Sequence, residues 1–130
     1  MKTLNRATRR SALLGALLAV AAAVAVAHGA VKPLHGGVLG ETASHNHVEL
    51  VRTEGELIAY LSDATGKPVP AQGAQLEATL LAGTQKSSAR FTAAGVNKMV
   101  ASARVPAGTK AVLRLTLPGQ GAEQLRVTLK

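Results

Sequence analysis

The chain has 130 residues, with fifteen Lys and Arg against seven Asp and Glu, four His, one Tyr, one Phe, and neither Cys nor Trp, for a formal net charge of +8. The lack of cysteine excludes disulfides, thiolate metal sites and a nucleophilic thiol. Two aromatic rings are too few for a stacking platform on single-stranded nucleic acid, and the length suits one domain behind a leader.

Lys2, Arg6, Arg9 and Arg10 open the chain with no acid among them, and positions 11–27 follow as an alanine, leucine and valine run ending in Ala25-Val26-Ala27. A basic start, an apolar centre and a small-residue site together read as an export signal over residues 1–27, cleaved before His28, which places the mature protein in the periplasm. The run of seventeen residues also stands at the lower limit for crossing a bilayer, so a retained anchor is the competing reading. Thr8-Arg9-Arg10-Ser11-Ala12-Leu13 is similar to a twin-arginine motif, but Ala12 takes the place of the usual phenylalanine, so the twin-arginine and general export routes both stay open. Without residues 1–27 the balance is eleven cations against seven acids, near +4. No run of adjacent like charges occurs among them, which argues against a nucleic-acid partner. No membrane partner is expected after processing.

From position 37 onward, short β-prone runs are divided by turn signals roughly every ten residues. Strands are expected over 37–41, 45–52, 56–62, 75–81, 88–93, 98–104, 110–117 and 124–129. Leu113, Leu115 and Leu117 alternate with Val112, Arg114 and Thr116, and Leu125, Val127 and Leu129 with Gln124, Arg126 and Thr128. The breaks are Thr53-Glu54-Gly55, Asp63 to Pro68, Ala82-Gly83-Thr84, Ala94 to Asn97, Pro106-Ala107-Gly108 and Pro118 to Gly121. The expected fold is all-β, a small antiparallel β-sandwich of seven or eight strands, Ig-like or cupredoxin-like, over residues 37–130. Alanine-rich stretches such as 101–103 suit helices better, yet no long window free of Gly and Pro keeps a helical stripe. Phe91, Tyr60, Met99 and the alternating leucines are the expected core, with the Tyr60 hydroxyl at its rim and Met99 as filler rather than a copper ligand. Asp63 opens a hydrogen-bonded turn and carries no chemistry.

All four histidines fall between positions 28 and 47. In an extended strand His45, His47 and Glu49 project to one side while Val48 and Leu50 turn to the core, and a His-x-His pair can grip one metal ion. Glu49, roughly 13 Å from His45 by strand rise, is either a partner that orients a ligating imidazole or a solvated charge. His35 lies near the end of the histidine-containing N-terminal segment, residues 28–36, and the two glycines after it allow a sharp turn back toward that strand. Glu41 and Asn46 add oxygen donors. If cleavage precedes His28, its α-amine and imidazole form a chelating pair suited to copper, with nickel, cobalt or zinc as alternatives. The opposing reading is that all four are solvated histidines and that His28 is only part of a permissive cleavage region.

Pro33-Leu34-His35-Gly36-Gly37-Val38, His47-Val48-Glu49-Leu50-Val51, Glu56 to Asp63 with Gly66-Lys67-Pro68-Val69, and 113–119 together resemble a group of small bacterial periplasmic proteins that accompany heavy-metal and copper efflux systems. A similar His-Gly-Gly opening occurs in periplasmic adaptor subunits of metal exporters. The resemblance covers nearly the whole mature chain through short motifs. It implies a metal-associated periplasmic β-domain with an efflux component as partner. His35 and His47 match the shared pattern, and His28 and His45 do not. An N-terminal histidine also resembles the ligand arrangement of periplasmic β-sandwich copper carriers, whose further motifs are absent here.

No Ser-His-Asp arrangement, apolar carboxylate pair or phosphate-cradling loop can be assembled, so an enzyme is not expected. The function expected is a periplasmic metal-binding carrier, buffer or efflux accessory holding a transition-metal ion through His28, His35, His45 and His47. The alternative is a non-catalytic β-sandwich interaction module with incidental histidines.

Overall fold

Successive side chains of a strand point to opposite faces of the sheet, so alternation of apolar and polar residues sets both the strands and their orientation. The computed structural model describes residues 30–130; the expected export segment, its cleavage point and His28 lie outside the described residues. Nine strands follow in order: β1 (Val38–Glu41), β2 (His47–Arg52), β3 (Glu56–Ser62), β4 (Gln75–Ala82), β5 (Gln85–Arg90), β6 (Thr92–Ala93), β7 (Lys98–Ser102), β8 (Lys110–Thr116) and β9 (Glu123–Thr128). They form a five-stranded sheet, β1-β2-β3-β7-β6, and a four-stranded sheet, β5-β4-β8-β9, with every pairing antiparallel. The described residues contain no helix. The all-β sandwich expected from the sequence is therefore the fold.

The core between the sheets shows what the alanines do. Across the strands Ala59 pairs with Leu50 and Met99, Ala101 with Leu57, Ala78 with Leu113, and Ala111 with Leu80, all of them buried. Small beside large fills a sandwich interior to ordinary density without large aromatic rings. Met99 and Phe91 lie in the same apolar cluster, as expected.

Three expectations are corrected. The run over 88–93 is not one strand: β5 ends at Arg90 in the four-stranded sheet and β6 begins at Thr92 in the other. Phe91, between them, buries its ring and donates its N–H to the Leu76 carbonyl at 3.0 Å, which anchors the crossing. Tyr60 is not a core residue. In β3 the inward positions are Leu57, Ala59 and Leu61, so Tyr60 stands half-buried on the outer face. His45, finally, is not in β2, which begins at His47; it sits in the turn after β1 at φ +64°, a left-handed conformation outside strand geometry.

Residues 30–37 cross the outer face of the five-stranded sheet as a strap. His35 lies on Tyr60, and the Leu34, His35 and Gly37 amides reach Glu49. Val48 and Leu50 of β2 are buried against the core, while Glu49, on the opposite face, is buried beneath the strap.

Candidate metal centre and its carboxylate anchor

Strand register arranges the outer face in rows. Glu41, His47 and Ser62 share one row across β1, β2 and β3; Leu39, Glu49 and Tyr60 share the next, about 6.8 Å further along.

Glu49 organises the second row. Its Oε1 accepts the Leu34 N–H at 2.8 Å and lies 2.9 Å from His35 Nδ1, while its Oε2 accepts the N–H groups of His35 at 2.8 Å and Gly37 at 2.9 Å. The side chain is only 5 % exposed. Burial by itself raises its pKa, but the His35 ring and the three backbone N–H groups outweigh that and hold the carboxyl below the ordinary glutamate value. The His-Gly-Gly motif has a local physical reason here. Gly36 turns the chain at φ +73°, and at Gly37 the backbone passes so close to β2 that a Cβ would stand 2.5 Å from the Leu50 carbonyl oxygen. That approach brings the Gly37 N–H onto the carboxylate. His35 completes the anchor by stacking on Tyr60, with ring centroids 3.5 Å apart and planes within 3°.

The first row forms the second group. His47, its side chain 9 % exposed, has Nδ1 3.0 Å from the Asp63 carbonyl, so Nδ1–H is the donor and Nε2 is directed toward Glu41. Nε2 is 3.7 Å from Glu41 Oε2. His45 Nδ1 hydrogen-bonds Glu41 Oε1, so one carboxylate faces both imidazoles. That hydrogen bond is the first cause of a lowered Glu41 pKa. The Asp63 carbonyl is itself held in place: Asp63 Oδ1 accepts from the Thr65 N–H at 2.9 Å, the Thr65 hydroxyl at 2.7 Å and the Lys67 N–H at 2.9 Å. The Asp63 turn read from the sequence is thus present, and it also aims His47.

The two groups are neighbours but distinct. The structure brings His45 and His47 to Glu41, and His35 to Glu49 and Tyr60. Glu49 does orient an imidazole, that of His35, and it is buried rather than solvated. Among the described residues no three His, Asp or Glu side chains already stand in a metal-ligand arrangement. As donors Glu41, His45 and His47 offer two nitrogens and a carboxylate, a set that suits Cu(II), Ni(II) or Zn(II). Coordination through His45 Nδ1 or Glu41 Oε1 would require the His45–Glu41 hydrogen bond to open, and the Glu41 side chain is 49 % exposed to solvent. They border an open cleft of about 470 Å³ whose lining also includes Ala30, Val31, Leu39 and Thr65.

Glu41 is the hub that sequence reading ranked only as an additional oxygen donor. Its signal was its place at the end of a β-prone run, a short turn away from the His-x-His pair. Comparison of the chain with protein-family models, with curated proteins and with solved structures found no match in any of the three.

Proposed function

We propose that this domain is a periplasmic metal-binding protein, a carrier, buffer or efflux accessory, that takes copper or another divalent transition metal at the Glu41, His45 and His47 corner. The observation carrying the reading is the orientation of His47: the Asp63 carbonyl engages Nδ1, so Nε2 is directed to the carboxylate that His45 also meets. Ligating histidines are commonly oriented in this way through their second nitrogen. The chain enters the cleft at Ala30, and His28 is two residues earlier in the sequence, within about 7 Å of chain length. An N-terminal amine and imidazole at His28 would complete a nitrogen-rich site. His35 supports the site through the strap, whose Glu49 contact holds Val31 and Ala30 over it. The basic start, the apolar run and Ala25-Val26-Ala27 support export.

Titration of the purified protein with Cu(II), Ni(II), Co(II) and Zn(II) against a chromophoric chelator tests the reading. Binding tighter than micromolar for at least one ion, weakened more than about ten-fold by His47→Ala, is expected. Affinity no better than micromolar for all four, or indifference to His47→Ala, overturns it. A non-catalytic interaction module is the second reading, favoured by the positive charge concentrated on the outer face of the four-stranded sheet.

A further inference from the structure

The geometry points to a docking surface for an acidic peptide segment of a partner protein on the outer face of the four-stranded sheet. Alternation and register arrange this face as a grid. Lys86, Leu81, Lys110 and Thr128 form one row across β5, β4, β8 and β9; Ser88, Thr79, Val112 and Arg126 form the next; Arg90, Glu77, Arg114 and Gln124 the third. Residues between these positions, such as Leu80, Ala111, Leu113 and Val127, point into the core.

The charge on the grid is one-sided. It carries five of the eleven cations of residues 28–130 but only one of the seven acids, Glu77, which is bound to Arg90 at 3.1 Å. The remaining six cations and six acids balance, so the net charge of the domain resides on this one face. Lys86, Lys110, Arg114 and Arg126 form no ion pair among the described residues. Solvated charges on an outward sheet face are ordinary, but here they are nearly all of one sign, and uncompensated like charges at cross-strand spacing repel one another.

The shape selects the occupant. Leu81, 41 % exposed, and half-buried Val112 lie in an open cleft of about 530 Å³ bordered by Lys86, Lys110, Arg126, Thr79 and Thr128. An apolar floor inside a cationic rim accepts a protruding aliphatic side chain flanked by Asp and Glu, with the charges guiding approach and setting register. A membrane-surface site instead projects its apolar groups outward into the lipid. Nucleic acid is disfavoured because Tyr60 lies on the other sheet and Phe91 is buried, leaving no ring here for base stacking. This face and the histidine cleft are on opposite outer sides of the sandwich, so docking leaves the metal corner open and does not depend on it.

The test uses the purified protein and a fluorescein-labelled acidic peptide with one central Leu between Glu and Asp residues, followed by anisotropy at several salt concentrations. Saturable binding is expected that weakens as salt rises, weakens at least about ten-fold in the Lys110→Glu, Arg126→Glu double variant, about 1.4 kcal/mol, and is unchanged by Lys67→Glu in the turn that follows β3. The milder Lys110→Gln, Arg126→Gln pair should fall between, and dichroism verifies that each variant is folded. No saturable binding, or equal binding by the charge-reversed variant, overturns the inference. So does tighter binding at the same salt to phosphatidylglycerol vesicles or to duplex DNA, which reassigns the face to a membrane or to nucleic acid.

Discussion

The imidazole of His35 lies flat on the phenol ring of Tyr60, 3.5 Å from centroid to centroid, and thereby ties the strap to the sheet beneath it. Tyr60 is the only tyrosine of a chain without tryptophan, so its fluorescence reports on that one contact. His35→Ala should change the tyrosine emission and lower stability by about 1 kcal/mol, the scale of an aromatic pair. An unchanged spectrum together with an unchanged melting temperature would show that the strap does not depend on the stack.

Glu49→Gln should be the more damaging change. An amide has one acceptor oxygen, so two of the four hydrogen-bonded contacts to the carboxylate would meet an NH₂ group instead. Bonds to a buried charged acceptor contribute about 1.5–3 kcal/mol, and a loss of about 2–3 kcal/mol in denaturant unfolding is expected. A loss no greater than that of His35→Ala would mean that the backbone bonds contribute little.

Acid should release the strap. A carboxylate whose folded-state pKa is lowered stabilises the protein fully above its unfolded-state value, near 4.3 for glutamate, and that contribution disappears as the pH falls through the lower folded value. Glu49 is in this position. The Tyr60 emission should therefore hold steady through neutral pH and shift only below about pH 4, and Glu49→Gln should remove the transition. A transition that persists in the variant would place the responsible group elsewhere.

Gly37→Ala and Gly36→Ala should separate space from conformation. At Gly37 the added methyl meets the Leu50 carbonyl oxygen at 2.5 Å and the Val51 and Glu49 side chains within 3.0 Å, so the strap must move, at a cost of about 1–3 kcal/mol. At Gly36 nothing stands within 4 Å, and only the left-handed backbone at φ +73° opposes the change, about 1 kcal/mol. Equal melting temperatures for the two variants would contradict this distinction.

Removing metal should leave the sandwich folded, because the Leu, Val and Ala core forms without any histidine. Chelator treatment is expected to preserve the β-type far-ultraviolet dichroism; complete unfolding would show that metal holds the fold together. Protons compete with metal for imidazole nitrogen, so apparent affinity should drop between about pH 7.5 and about pH 5.5. An extra residue placed before His28 moves the α-amine away while keeping every side chain. Unchanged affinity in that variant removes His28 from the site and leaves the Glu41, His45 and His47 corner standing.

What the sequence by itself determined is what a two-residue period and local turn chemistry can encode. Leu76, Ala78 and Leu80, or Leu125 and Val127, alternate with polar residues and could only be strands with one buried side. Asp63 through Pro68 could be read as a turn, and the two glycines after His35 as a reversal, because those preferences belong to single residues. Alternation does not say which face turns inward when both carry apolar groups: Ile58 and Tyr60 are as apolar as Leu57 and Ala59, and only the position of the second sheet sent Tyr60 outward. The transfer of the chain between sheets at Phe91 was equally hidden, since 88–93 reads as one β-prone run. Only the tertiary structure buried Glu49, because the layer covering it comes from residues twelve to fifteen positions earlier, too far for any local pattern to register. Likewise it withdrew His45 from the strand and made Glu41 a hub. The face of a side chain follows from its own strand, but its neighbours and its solvent follow from which distant segment packs on that face.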